Sequence, residues 1–295
     1  MTTLRYEVVA IFGPTASGKS AVARRVADEL GTEVVCADAL QVYRGLPILT
    51  NQPAEPTALV GIRDLADSMS VGEFAELAHE SIDGLVWRHG AAVVAGGTGL
   101  YLRAALADLD IPPPVDASER GRAEALYDAD PDVAHALLVE LDAAAAHAVH
   151  VNDRRRVVRA LELAAAGSTL VPSDDRLWSD ATRRPTVIVG LDLAARELDR
   201  RIAARTDEMI RRGVVDEVRR AVGDPISHTA EKALGLRELA TLPLDDAREA
   251  IVTRTRRYAA YQRKWMRRIP GIVLVDAARA VDEIADDILD LARAR

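Results

Sequence analysis

Eight consecutive residues, Gly13-Pro14-Thr15-Ala16-Ser17-Gly18-Lys19-Ser20, carry the most specific chemistry in this chain. They match the pattern G-x-x-x-x-G-K-[ST], in which glycines let backbone N–H groups converge on one centre and the following helix adds its positive end. Lys19 supplies a point charge, and the Ser20 hydroxyl is a candidate ligand for Mg²⁺. Such a nest holds a di- or triphosphate. It leaves the reaction open, because the same loop serves ATPases, kinases and enzymes for which diphosphate is only a leaving group.

Other residues that could do chemistry are a carboxylate, Asp38, and a set of arginines. The arginines come in clusters: Arg154, Arg155, Arg156 and Arg159, then Arg254, Arg256, Arg257, Arg263, Lys264, Arg267 and Arg268 with no acidic residue from 254 to 268. The net charge of −8 argues against a polyanionic partner on average. Clustered guanidinium forks, which suit phosphate geometry, give those places the opposite local sign. His147 and His150 are the only close histidine pair, and no third metal ligand lies near them in sequence. Cys36 is the only cysteine, which excludes an internal disulfide and a cysteine metal cluster and reads as a small buried apolar side chain.

The elements that must position these residues alternate. The apolar run 7–12 is a strand, the phosphate loop follows, and 20–30 is a helix closed by Gly31. Further strands are expected at 33–37, 91–95, 186–193 and 271–276, and helices at 71–89, 194–212 and 245–269. Strand alternating with helix implies a parallel sheet covered on both faces. Pro112-Pro113-Pro114 breaks this pattern, and alanine-, leucine- and arginine-rich helical segments follow with no strand. The expectation is an α/β, P-loop parallel sheet with helices on both faces, its core in 1–113 and 181–295, and an inserted helical subdomain in 114–180. The opening residues Met1 to Tyr6 lack a secretory signal pattern and no apolar run reaches membrane-spanning length, so a cytoplasmic protein without a membrane partner is expected.

Asp38-Ala39-Leu40-Gln41-Val42-Tyr43-Arg44-Gly45 at the end of the second strand and Gly96-Gly97-Thr98-Gly99-Leu100-Tyr101 at the end of the third resemble, together with the phosphate loop, the tRNA dimethylallyltransferase family. The resemblance continues through Asn152 to Glu162, Arg201-Ile202 with Arg205, Met209 and Gly213, and Tyr258 with Gln262, Trp265 and Arg267, and so covers nearly the whole chain. It departs at Ala39-Leu40, where the family usually has Ser-Met, and at Leu49 to Pro53, which replaces a Gly-Thr-Ala-Lys-Pro stretch.

The resemblance implies transfer of a dimethylallyl group from dimethylallyl diphosphate to an adenine N6 amine beside the anticodon of tRNA, with Mg²⁺, by a monomer. It makes Asp38 the group that takes the amine proton, the loop 13–20 the diphosphate site, Thr15 a donor to the bridging oxygen and Arg205 a clamp on the leaving diphosphate. Contacts to the tRNA anticodon stem-loop fall on Asp38, Ala39, Leu40, Gln41, Thr98, Arg120, Arg155, Arg156 and Arg159. In the helix from Asn152 onward, Arg155, Arg156 and Arg159 share one side while Val158, Leu161 and Ala165 can face inward.

Three other readings compete. An adenylate dimethylallyltransferase would need neither the helical insert nor the basic carboxyl-terminal helix. An ATP-dependent small-molecule kinase would not need Asp38, the Gly-Gly-Thr-Gly segment and the later arginine motifs together. A non-catalytic RNA-binding module would not require an intact Lys19 and Ser20.

Overall fold

The computed structural model describes residues 4–113, 115–171 and 176–293. Met1 to Thr3, part of the opening read for a signal, and Pro114, the last of the three prolines, lie outside the described residues. In chain order the elements begin β1 Val8–Phe12, α1 Lys19–Leu30, β2 Val34–Cys36, α2 Val71–His89, β3 Ala92–Gly96 and α3 Gly99–Leu106. Four helices follow: α4 Ala117–Ala129, α5 Pro131–Leu141, α6 Ala143–Ala148 and α7 Arg154–Ala165. The chain then returns through β4 Thr186–Asp192, α8 Ala195–Arg211, α9 Val214–Ala221, α10 Leu236–Thr241, α11 Leu244–Met266, β5 Val273–Asp276 and α12 Val281–Arg293.

The five strands form one sheet in the order β2-β3-β1-β4-β5, and every neighbouring pair is parallel. All five residues of β1 are buried, as a central parallel strand requires. Because side chains alternate along a strand, Val8, Ala10 and Phe12 join Phe74, Ile82 and Leu85 of α2 and Leu102 of α3, while Val9 and Ile11 join Val22 and Val26 of α1, Ile202 of α8 and Ile288 of α12. Helices therefore cover both faces, as the alternation in sequence implied. Each of the larger apolar side chains, Val, Ile, Leu and Phe, contributes roughly 1.5–3 kcal/mol by leaving water.

Local signals set the ends of the first two helices, whereas the helix expected to run to 269 stops at Met266. Gly31 takes a left-handed φ of 63° at the end of α1, and α2 opens with a capping box in which Ser70 and Glu73 exchange side-chain-to-backbone bonds.

The described chain divides into two compact units, one of them Leu109–Arg176 and the other the two flanking segments. The smaller unit holds α4 to α7 around Tyr127, Leu138, Val157, Val158 and Leu161. Asp116, Asp130, Asp142 and Asp153 each accept a backbone N–H at a helix start, so four aspartates set the corners of this unit. Ala165, expected to face inward, is exposed: it is the final residue of α7, past the end of the apolar cluster. Residues 177–181 belong to the larger unit. There the buried Arg103 of α3 donates to the carbonyls of Leu177 (3.0 Å), Ser179 (3.0 Å) and Ala181 (3.3 Å), fastening the returning chain to the core.

The two glycine-rich loops approach each other because β3 lies between β1 and β2. A Cβ on Gly96 would collide with the Ala37 carbonyl at the end of β2, whereas a Cβ on Gly84 in α2 meets nothing within 4 Å. Gly96→Ala should therefore lower stability by about 1–3 kcal/mol through overpacking, and Gly84→Ala should raise it by about 0.5–1 kcal/mol. Urea unfolding midpoints measure both, and a Gly96→Ala midpoint equal to wild type would mean that β2 and β3 can part without cost.

Candidate active site

The phosphate loop leaves β1 after Phe12 and is closed by a turn in which the Ser17 N–H donates to the Pro14 carbonyl at 3.2 Å. Gly18, at φ 92°, turns the chain into α1, which starts at Lys19. The first amides of a helix have no acceptor within it, so those of α1 face the loop's interior with the positive end of the helix behind them. A Cβ on Gly13 would meet the Ser17 hydroxyl at 2.6 Å, which explains the glycine where the loop begins.

Three charged groups gather here. The Lys19 ammonium has its pKa lowered chiefly by burial, opposed by the charge of Asp38 and assisted by that of Arg205. Arg205, on α8, donates to the Thr15 hydroxyl at 2.7 Å, and burial lowers its pKa against the opposing pull of Asp38. Two half-buried cations thus share one carboxylate, an arrangement short of negative charge that an incoming diphosphate would supply. Arg201, one turn before Arg205 and ion-paired with Glu197 at 2.8 Å, places a guanidinium nitrogen 4.0 Å from the Cβ position of Gly18.

Asp38 follows β2. One of its oxygens accepts the Leu40 N–H at 3.0 Å, a local turn that orients the carboxylate. Ala39 donates its N–H to the Thr98 hydroxyl at 3.4 Å, and that hydroxyl lies 3.5 Å from the Tyr258 phenol of α11. Burial, then the charge of Asp38, pushes the Tyr258 phenol up to about 12, so it stays protonated and able to donate. Gln41 is pinned by its own loop, donating to the carbonyls of Thr50 (3.1 Å) and Asn51 (3.0 Å) and receiving the Cys36 thiol at 3.1 Å. Leu40 packs against the apolar cluster of Leu46, Leu49 and Ile251. Thr15, Lys19, Asp38, Ala39, Thr98 and Arg205, scattered through the sequence, are thereby brought together.

Within the helical unit the expected arginines divide. Arg155 and Arg156 are exposed on α7. Arg159 donates to Glu162 at 2.9 Å and to the Pro113 carbonyl at 2.9 Å, and Arg120 lies 3.3 Å from Glu124 and 3.7 Å from Glu162. Glu162 is almost fully buried, so these two arginines neutralise an interior carboxylate, a structural demand that spacing along a helix does not reveal.

Tyr258, Gln262 and Arg201 stand in the segments that carry the family resemblance, yet none was assigned a place in the site. A signal for Arg201 was its i, i+4 spacing from Arg205, which sets both on one face of α8. Gln262 had no such signal, because its partners are the backbone of Thr15 and Gly97.

A glycine-rich loop with its lysine between the first strand and the first helix, on a parallel sheet with helices on both faces, is the architecture of the P-loop proteins. A family model described as IPP transferase matches residues 41–269, and one described as isopentenyl transferase matches residues 6–63. The tRNA dimethylallyltransferases of Acidothermus cellulolyticus and Streptomyces coelicolor are 38% and 39% identical, over 94% and 90% of this chain and 91% and 88% of theirs. The fold is similar to that of a tRNA isopentenylpyrophosphate transferase from Bacillus halodurans (TM-score 0.69, 29% identity, 97% of this chain and 96% of that one). It is also similar to a eukaryotic dimethylallyltransferase acting on tRNA (TM-score 0.76, 26% identity, 96% and 77%). This chain belongs to the tRNA dimethylallyltransferase family and is a prenyltransferase.

Lys19→Ala removes the loop's point charge and leaves its backbone nest. Affinity for inorganic diphosphate, measured by calorimetry, should fall roughly 10- to 100-fold, the size of about 1.5–3 kcal/mol for a charged hydrogen bond. Affinity for tRNA should hardly change, and an equal loss of both would contradict a separate diphosphate site.

Proposed function

We propose that this protein acts in the cytoplasm as a monomer and transfers the dimethylallyl group of dimethylallyl diphosphate to the N6 amine of the adenine immediately 3′ of the anticodon in tRNA. The observation that carries this reading is the pairing of the Arg205–Thr15 clamp on the phosphate loop with the Asp38 carboxylate beyond the end of β2, two strands away in the sheet. One side of the site suits a departing diphosphate, the other an amine that must lose a proton.

In the reaction, the amine nitrogen forms a bond to the allylic carbon as the bond from that carbon to oxygen breaks, its electron pair leaving with diphosphate. The amine proton passes to Asp38, whose position at a strand's carboxyl end is where open parallel sheets bind ligands. Lys19 and Arg205 meet the charge that grows on the leaving oxygens, and the Thr15 hydroxyl, its oxygen already bonded by Arg205, keeps a proton to donate to the bridging oxygen.

Ser20 would be the residue of this loop that holds Mg²⁺. Ser20 is exposed at the first turn of α1, and among the described residues no group of three or more His, Cys, Asp or Glu could hold a metal alone. A cation here would share the oxygens of the diphosphate and of water, as Mg²⁺ does. Bound, it supplies further neutralisation of the leaving group.

The tRNA would be met by Thr98 and the Asp38–Gln41 segment near the reacting base, and by Arg155 and Arg156 along its backbone. Among the described residues no helix is long and apolar enough to cross a membrane.

Incubation with unmodified tRNA and either labelled dimethylallyl diphosphate or labelled ATP, with AMP as a second acceptor, tests the reading. Label should pass from the prenyl donor to tRNA; transfer to AMP alone, or from ATP alone, would overturn it. Asp38→Asn should lower turnover by roughly 10²-fold or more with little change in either substrate's binding, and an unaltered rate would remove Asp38 from the mechanism. Replacing Arg155 and Arg156 together by alanine should weaken tRNA binding and reduce the slope of log affinity against log salt by up to about two units. Filter binding at several salt concentrations measures this, and unchanged slopes would make that helix face a solvated surface. Adding Arg159→Ala should also lower stability, since the buried Glu162 loses its 2.9 Å partner.

A further inference from the structure

Gln262 of α11 is far in sequence from both glycine-rich loops and only 2% exposed. Its carboxamide joins their backbones: Oε1 accepts the Thr15 N–H at 2.8 Å, and Nε2 donates to the Gly97 carbonyl at 2.8 Å, with the Tyr258 phenol also in hydrogen-bonding reach. These partners dictate the amide's orientation, because an N–H needs an acceptor and a C=O needs a donor. Each bond then connects to a group of the site. Thr15 holds Arg205 through its hydroxyl at 2.7 Å, and Thr98, the residue after Gly97, receives the N–H of Ala39, the neighbour of Asp38.

We infer that Gln262 is a positioning residue that holds the diphosphate side and the amine side of the site in register. The inference rests on the proposed prenyl transfer, since that reaction needs the two sides at one fixed separation. A cleaving carbon–oxygen bond and an attacking nitrogen must lie nearly in line, and displacement by about 1 Å can cost about 10²-fold in rate. The strands alone do not set this distance, because both loops extend beyond the last paired residues, Phe12 and Gly96. Gln262 spans the gap from outside the sheet.

The side-chain chemistry is narrowly suited to the task. Methionine has similar volume but would leave a buried N–H and a buried C=O without partners. An ionised glutamate accepts from Thr15 yet turns a second oxygen toward the Gly97 carbonyl, and the two repel. A protonated glutamate carries one acceptor and one donor, as glutamine does, and restores both bonds. With the Thr15 N–H occupied by Gln262, the hydroxyl of that residue is left to Arg205.

The test uses the full chain with Gln262→Met and Gln262→Glu, labelled dimethylallyl diphosphate and unmodified tRNA, with wild type in parallel. Thermal unfolding and tRNA filter binding establish that each variant is folded. Gln262→Met should lose roughly 10- to 100-fold in kcat, with KM for either substrate within about threefold of wild type. For Gln262→Glu, activity relative to wild type should rise as pH falls from about 8.5 to about 6. Burial raises the pKa of the new carboxyl group and the protonated form is the competent one. Wild-type kcat in either variant across this range, a raised KM with unchanged kcat, or a glutamate deficit independent of pH would overturn the assignment. If Gln262→Met does not fold, the pH dependence of Gln262→Glu decides. A wild type that labels no tRNA would overturn the proposed function as well, whereas an active wild type beside unaffected variants would overturn only the role of Gln262.

Discussion

Five strands that run the same way must all end at the same edge of the sheet, and the loops that carry the candidate site are placed by that constraint. β1 delivers the phosphate loop, β2 delivers Asp38 and β3 delivers Gly97 and Thr98, with β3 between the other two. The segments after β2 and β3 can pack closely because Gly96 has no side chain to strike the Ala37 carbonyl. Loops from neighbouring parallel strands then share one crevice, where ligands of open α/β sheets bind. The helices on the two faces keep the strands dry and add side chains from above: Arg205 from α8, Tyr258 and Gln262 from α11.

Charge is the second organising force. Partial burial makes the cationic forms of Lys19 and Arg205 costlier than in water, and a single carboxylate, Asp38, offsets part of that cost. The imbalance favours an anionic ligand, and it does so without a strongly basic protein: the chain as a whole carries −8. Focused local charge in a partly dry crevice outweighs a diffuse opposite charge over the surface, because screening and distance weaken the latter.

The helical unit is organised differently. Its helices are short and each begins on an aspartate that caps it, so its shape follows from local hydrogen bonds and one small apolar cluster. Glu162 then sorts the basic residues, holding Arg159 and drawing the exposed Arg120 to 3.7 Å while Arg155 and Arg156 face solvent without it.

The sequence by itself determined the phosphate loop, the alternation of strand and helix, and most element limits, because these depend on contacts between near neighbours: the glycine spacing of 13–18, the continuous apolar run of 8–12, and the Ser70 cap and Gly90 stop of α2. The motif around Asp38 was legible for the same reason. Strand order, the burial of Glu162, the clamp of Arg103 on residues 177–181 and the bridge of Gln262 between two loops were not. Each depends on which distant segment packs alongside, and a buried carboxylate or carboxamide looks in sequence like any exposed one until a backbone amide or a guanidinium from elsewhere in the chain is brought within 3 Å or so of it.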